Sequence, residues 1–412
     1  MKIESDCYYN DKDVKYRFII KWSEKVLLRE IQIGGFRQYQ DFSLSDFSNI
    51  NFIAGENNTG KTTILEAIFT WGCGFNLLPI VNTIASRVRY GFMSLQPYWL
   101  LEEILSMLFD RRSSNMDMFF GGKWDNEKTV FFNHRVRPSD LLKSYDPYYR
   151  EKADFVNVRH DYLTSNSIKS DQLNFPFNPQ QILVAKWEIV KSNSNDKHFS
   201  KNKDKKSINV VVPTQYIDTY DPYKYVKIID ILSHTNVSEN LQIYSSLKRE
   251  GMLDDMLSNI HEVYPEITSF EMIPYPDGAS TPVSVLKDGE KYLPIYALGD
   301  GVQRWFYILG CMLIHRNSII CIDEVDVGIH PTAQESFCRT LITYAQKYNV
   351  QLFLTSHNLE FMDHFINASL ELDKLNDVRI FTLKHDNKKI QSRVLNGKEA
   401  VHAREVYDLE LR

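Results

Sequence analysis

Two hydrophobic periods alternate along the C-terminal third of the chain. Short apolar runs (Ser318-Ile319-Ile320-Cys321-Ile322, Val350-Gln351-Leu352-Phe353-Leu354-Thr355 and Val378-Arg379-Ile380-Phe381-Thr382-Leu383) have the length of buried strands. Helical stretches separate them, the most apolar running from Trp305 to Ile314. This alternation over 265–412 predicts an α/β lobe. The N-terminal part opens with strand-like runs, Val26-Leu27-Leu28 and Ile31-Gln32-Ile33, then a Gly34-Gly35 turn. A short buried strand, Ile50-Asn51-Phe52-Ile53, and an amphipathic helix from Thr62 to about Leu78 follow. An aromatic-rich segment then extends to about Pro147, with helical spacing from Trp99 to Phe109; its rings are expected to pack a core rather than form a partner surface. Residues 155–215 predict more strands, clearest at Gln181 to Ile189 and Ile208 to Val212. From 221 to 264 the pattern turns helical through Ile228-Ile229, Ile231-Leu232, Leu253, Met256-Leu257 and Ile260. The expected division is a first part of one lobe over 1–80, an insertion of strands and helices over 81–264, and the rest of the lobe over 265–412.

Composition narrows the class. At 412 residues the chain exceeds one ordinary core. A hydrophobic share of 43% and a charged share of 25% are those of a globular protein. A net charge of −5 exerts no global pull on nucleic acid, so any such site has to be local. The lysines of one polar stretch, Lys191 to Ser207, either touch a phosphate backbone or decorate a solvated hairpin loop, and the loop is the preferred reading. Cys7, Cys73, Cys311, Cys321 and Cys338 are scattered without C-x-x-C spacing, as in proteins of a reducing compartment. No apolar signal core follows the charged N-terminus, and the run around Trp305 to Ile314 is too short to span a bilayer. A cytoplasmic protein without membrane attachment is expected.

The chemistry enters at Gly55-Glu56-Asn57-Asn58-Thr59-Gly60-Lys61-Thr62-Thr63, which fits G-x-x-x-x-G-K-[ST] at every fixed position. Strand before and helix after supply the context that this phosphate loop requires. Glycines let successive backbone N–H groups point at phosphates, and the helix N-terminus adds partial positive charge. Asn57, Asn58, Thr59, Gly60, Lys61, Thr62 and Thr63 are the expected nucleotide-binding residues. Lys61 is assigned to the β/γ-phosphates and the Thr62 hydroxyl to Mg²⁺.

A second acidic site lies downstream. The strand Ser318 to Ile322 ends in Asp323-Glu324, the Walker B pattern. Asp323 is the expected Mg²⁺ partner and Glu324 the expected general base on the attacking water. Val350 to Thr355 leads to Ser356-His357, a histidine placed to meet a γ-phosphate. Leu298-Gly299-Asp300-Gly301 opens the apolar helix, and a helix start with free N–H groups suits an anion.

These four elements in this order resemble the ABC-type ATPases, in the AAA/ABC-like branch that includes OLD-family and SMC-like proteins. The likeness is strongest to stand-alone ATPase subunits of bacterial phage-defence (abortive infection) systems. It rests on Leu28-Arg29-Glu30-Ile31, Gly35-Phe36, the phosphate loop, Leu298 to Gly301, Ile322-Asp323-Glu324 with Gly328-Ile329-His330-Pro331, and Thr355-Ser356-His357-Asn358. It covers about 26–75 and 265–365. The resemblance implies an α/β ABC-type head, a mixed β-sheet with flanking helices, carrying a central strand-plus-helix insertion. It also implies ATP and Mg²⁺ as cofactors and a homodimer or higher homo-oligomer. In that dimer Gly299, Asp300 and Gly301 of one copy face the nucleotide of the other, Asp326 to His330 lie near the seam, and His357 is the switch histidine. The serine of the usual signature is missing here. Gln96 and Gln215 both remain candidates for the Q-loop glutamine.

Residues 358–412 are expected to complete the lobe and leave no room for the TOPRIM nuclease that OLD-type chains append. The implied role is therefore nucleotide-driven control of a separate effector protein, nuclease or TOPRIM-like, in antiviral defence, with a nucleic acid or phage protein as trigger. The alternative is an SMC-like DNA-binding ATPase of repair or replication. The short helical stretch 221–264 lacks the heptads such a clamp needs. A P-loop kinase would lack the signature helix and His357, and a transporter ATPase would keep a conventional signature.

Overall fold

A computed structural model of the protein describes residues 8–10, 13–16, 27–56, 58–72, 117–125, 129–135, 157–159, 162–164, 182–192, 206–213, 226–274, 283–287, 291–386 and 389–407. The chain divides into two compact units, 1–46 with 66–222 and 47–65 with 223–412.

The first unit is β-rich. Its strands are β1 (Tyr8–Asn10), β2 (Asp13–Tyr16), β3 (Leu28–Phe36), β4 (Tyr39–Ser45), β6 (Asp117–Trp124), β7 (Thr129–Arg135), β8 (Asn157–Arg159), β9 (Tyr162–Thr164), β10 (Ile182–Ser192) and β11 (Lys206–Pro213). They form a six-stranded sheet in the order β11-β10-β7-β6-β3-β4 and a four-stranded sheet in the order β1-β2-β9-β8. The hairpin β3–β4 pairs Glu30 with Ser45 and turns at Arg37, whose φ is +50°. Strand β10 pairs with β11 from Ile182↔Pro213 to Ile189↔Lys206, so the ends of the Lys191 to Ser207 stretch are strand. The rest of that stretch, the helical spacing at Trp99 to Phe109, Gln96 and Gln215 lie outside the described residues.

The second unit is the α/β lobe. Its strands are β5 (Ile50–Gly55), β12 (Val226–Ile229), β13 (Ile267–Met272), β14 (Val283–Lys287), β15 (Tyr292–Pro294), β16 (Ile319–Ile322), β17 (Gln351–Thr355), β18 (Val378–Asp386) and β19 (Lys389–Asn396). Its helices are α1 (Lys61–Gly72, which runs on into the first unit's residues), α2 (Val237–Glu250), α3 (Leu253–His261), α4 (Asp300–Ile314), α5 (Pro331–Lys347), α6 (Leu359–Glu371) and α7 (Gly397–Tyr407). A mixed sheet runs β12-β16-β17-β5-β18-β19; only β19 is antiparallel to its neighbour. Strands β13, β14 and β15 form a small antiparallel sheet.

Every residue of β5, β12, β16 and β17 is buried, as expected of parallel strands covered on both faces. Asn51, fully buried in β5, is satisfied: Oδ1 accepts from the Ser48 N–H and Nδ2 donates to the carbonyls of Ser48 and Leu352. Helix α4 is buried from Val302 to Leu313 and packs against α2, α3 and α5; Trp305 lies 4.9 Å from Phe337 between ring centres. Its Gly310 allows that approach, since a Cβ there would sit 2.3 Å from Cγ2 of Ile243. Cys311, Cys321 and Cys338 are buried cysteines outside any disulfide.

Two expectations are corrected. Residues 226–229 are a strand, not part of a helical run. A short apolar stretch carries no periodicity to separate the two, and here it pairs in parallel with β16. Residues 223–264 therefore belong with the lobe rather than with the insertion, while β3 and β4 pair into the insertion's sheet rather than the lobe's. The helix expected over 62–78 is observed over Lys61–Gly72; the residues after 72 lie outside the described ones.

Candidate nucleotide site

Strand order positions the site. Because β16, β17 and β5 are adjacent and parallel, their carboxyl ends lie side by side on one edge of the sheet, where α/β proteins hold ligands. The phosphate loop leaves β5, Asp323-Glu324 leave β16 and Ser356-His357 leave β17.

Gly55 and Gly60 hold φ values of +144° and +90°, and a Cβ on Gly55 would meet the Leu383 carbonyl oxygen at 2.6 Å. Asn58 is left-handed at φ +66°, and its carbonyl lies 3.1 Å from Nε2 of His385 on β18. Thr59 is buried and donates to the Glu56 carbonyl at 2.8 Å; Thr63 is buried on α1. Asn57 lies outside the described residues. Lys61 is only 7% exposed, and its ammonium donates to the carbonyls of Gly55 (2.8 Å) and Glu56 (3.1 Å). Burial pushes the Lys61 pKa down, while the Glu324 and Asp323 carboxylates act to raise it.

The Thr62 hydroxyl lies 2.9 Å from both Asp323 carboxylate oxygens, so the two groups expected at Mg²⁺ already face each other. A hydroxyl, one carboxylate and phosphate oxygens make the hard-oxygen set Mg²⁺ prefers. Among the described residues no group of three or more His, Cys, Asp or Glu gathers for a metal, and this mode of binding needs none. The loop, Lys61, Thr62 and Asp323 thus fit a Mg²⁺-triphosphate, which supplies the phosphoanhydride to be broken. Glu324 stands one residue beyond Asp323 in a left-handed backbone, φ +48°, and its Oε2 is 2.7 Å from Nδ1 of His357. A carboxylate so held can take a proton from water, and His357 can share or orient it.

The turn Gly299-Asp300-Gly301 starts α4. Its two glycines differ: a Cβ on Gly299 meets nothing within 4 Å, whereas one on Gly301 would sit 2.8 Å from the Gly328 carbonyl oxygen and 2.9 Å from the Tyr264 hydroxyl. The Asp300 side chain is 73% exposed, with its Oδ1 3.8 Å from Nε2 of His234. Four residues on, Arg304 is 1% exposed and donates to the carbonyls of Ile231 (3.1 Å) and Glu324 (2.9 Å). Burial lowers the Arg304 pKa against the opposing pull of Asp326, Asp230, Asp323 and Asp300. Sequence reasoning passed over Arg304; a lone arginine on an otherwise apolar helix was the available signal. The structure brings Lys61, Thr62, Asp323, Glu324 and His357 together. It joins Gly301 and Arg304 to the turn 324–328 behind them, while Gly299 is open.

The family model described as "AAA domain, putative AbiEii toxin, Type IV TA system" matches residues 105–363, more than half of the chain. The chain belongs to this AAA family. A model described as "AAA ATPase domain" also matches residues 27–83 of this AAA protein. A Helicobacter pylori protein named ATP/GTP phosphatase is 22% identical over 392 residues, covering 90% of this chain and 96% of its own. A Rad50 DNA double-strand break repair ATPase from Archaeoglobus fulgidus is 49% identical over 43 residues, 10% of this chain and 5% of its own. The Smc head domain of Pyrococcus furiosus, solved with an extended coiled coil bound to the C-terminal domain of ScpA, aligns over 93% of this chain and all of its own. The TM-score is 0.49 and the identity 10%. The AAA protein is a P-loop ATPase that hydrolyses ATP. No helix among its described residues is long and apolar enough to cross a membrane.

Proposed function

We propose that two copies of this ATPase clasp each Mg²⁺-ATP between the phosphate loop of one and the Gly299-Asp300-Gly301 turn of the other, and that this pairing controls a separate effector, a nuclease or TOPRIM-like protein, in antiviral defence. A nucleic acid or phage protein would act as trigger. The observation that carries the reading is the contrast at the signature turn. Gly299 is open at the start of a fifteen-residue helix, while Gly301 and Arg304 fix that helix to the turn bearing Glu324. A helix start with unobstructed N–H groups is an anion site. The family's description, which names a toxin of a type IV toxin–antitoxin system, supports a place in defence. Glu324 is the general base, His357 its partner, and Lys61, Thr62 and Asp323 hold the nucleotide and metal.

Glu324→Gln should retain ATP and accumulate as a dimer, because closure then outlasts hydrolysis. Sedimentation with saturating Mg²⁺-ATP reads this directly, and Gly299→Glu in the same background should return monomers that still bind nucleotide. Monomers of the Glu324→Gln protein at saturating Mg²⁺-ATP would refute the clasp. Co-purification of the native protein, followed by identification of what remains bound, tests the effector.

A further inference from the structure

Glu324 adopts a backbone conformation that side-chain-bearing residues rarely take, φ +48°, and its neighbours enforce it. One residue of the neighbouring strand bonds directly to the Glu324 N–H. Thr355, the last residue of β17, is fully buried. Its hydroxyl donates to Oδ1 of Asp323 at 2.7 Å and accepts from the N–H of Glu324 at 2.8 Å. Its carbonyl accepts from the N–H of Val325 at 2.9 Å. Three successive residues of the turn are thus tied to one position on the neighbouring strand.

We propose that the Thr355 hydroxyl is a positioning group for hydrolysis. It orients the Asp323 carboxylate and fixes the Glu324 peptide so that the Glu324 side chain reaches the attacking water. This rests on the reading of Glu324 as general base. The carbonyl contact to Val325 is backbone and survives any substitution, so the hydroxyl's part is separable. A hydroxyl with one proton and free lone pairs can serve both neighbours at once, which a valine of the same shape cannot. The Thr62 hydroxyl also reaches Asp323, and it is the one expected to turn toward Mg²⁺. Thr355 keeps its hold on Oδ1 independently of that choice.

The test compares Thr355→Val and Thr355→Ser with the parent for kcat, KM and melting temperature. Affinity for a fluorescent ATP analogue, with and without Mg²⁺, is the readout independent of turnover. Thr355→Val should lower kcat about 10- to 100-fold, the usual effect of removing a group that orients a metal or catalytic ligand. Its Mg²⁺-free nucleotide affinity should stay within about threefold of the parent, and Thr355→Ser should restore most of kcat. If valine does not pack, Thr355→Ala and Thr355→Ser form the decisive pair, since both lack the methyl and only the hydroxyl differs. The inference is overturned if Thr355→Val keeps the parental kcat, if serine is as impaired as valine or alanine, or if kcat and Mg²⁺-free affinity fall together. Glu324→Gln assayed alongside separates the two failures. Parental turnover in that variant defeats the general-base reading. An inactive Glu324→Gln beside an active Thr355→Val defeats only the role of Thr355.

Discussion

Replacing Arg304 with methionine removes a charge from the middle of the core while keeping most of the stem's packing. Two hydrogen bonds vanish, to the carbonyls of Ile231 and Glu324. Bonds from a charged group contribute about 1.5–3 kcal/mol each, together about 3–6 kcal/mol. Against this, the Arg304 Nε is buried with no partner, and losing it recovers about 1–3 kcal/mol. The central values leave a net loss of about 2.5 kcal/mol. For a unit of roughly 200 residues, each kcal/mol moves Tm by about 2–4 °C, so the melt should fall by roughly 5–10 °C. Calorimetry of the ATPase and its Arg304→Met variant, without nucleotide, measures the shift. The same variant should lose kcat by more than it loses nucleotide affinity, because the Glu324 carbonyl has lost its anchor. A Tm within 2 °C of the parent, with unchanged kcat, would refute the idea that this guanidinium ties the signature helix to the catalytic turn.

Gly301→Ala should destabilise by about 1–3 kcal/mol, because the new methyl would press on the Gly328 backbone; Gly299→Ala, in open space, should melt like the parent. Paired thermal melts decide this. Lys61→Ala should abolish nucleotide binding in titration calorimetry while leaving the circular dichroism spectrum unchanged. In the parent, bound triphosphate should raise the depressed Lys61 pKa. Binding at alkaline pH should then take up a proton, and affinity should weaken as pH rises through the free-loop value, as calorimetry in buffers of differing ionisation enthalpy reports. Burial tends to raise the Asp255 pKa, yet the Tyr348 hydroxyl and Lys347 ammonium outweigh it and leave that pKa lowered. Asp255 therefore adds stability above the ordinary carboxylate range that is lost as pH falls through its lower folded value. Asp255→Asn should flatten the acid limb of a Tm-against-pH curve below about pH 4.

The elements read correctly from the sequence are those whose local signal and tertiary role agree. Ile50 to Ile53, Ile319 to Ile322 and Val350 to Thr355 are apolar enough to be strands only in a doubly covered sheet, and there they lie. Glycine spacing in the phosphate loop has one physical use, and the φ values of Gly55 and Gly60 require it. Val226 to Ile229 failed because four residues, Lys227 among them, are too few to carry a period, and the partner strand β16 is far away in sequence. The lobe boundary failed with it. Thr355, named only as part of its motif, and Arg304 were given no role for a different reason: a threonine in a strand and an arginine in a helix are ordinary. Their significance arises from the carbonyls, amides and carboxylates that three distant segments bring to them.

Strand β5 carries the phosphate loop at the centre of its sheet, between β17 and β18, and Asn51 bonds to Leu352, 301 residues away. During synthesis at about 5–20 residues per second, that strand waits roughly 15–60 s for either neighbour to leave the ribosome. Throughout that wait an apolar segment with two open edges must be shielded from other nascent chains. The capacity to bind a triphosphate therefore arises late and all at once. A prematurely terminated product would carry the loop's sequence but none of its grip.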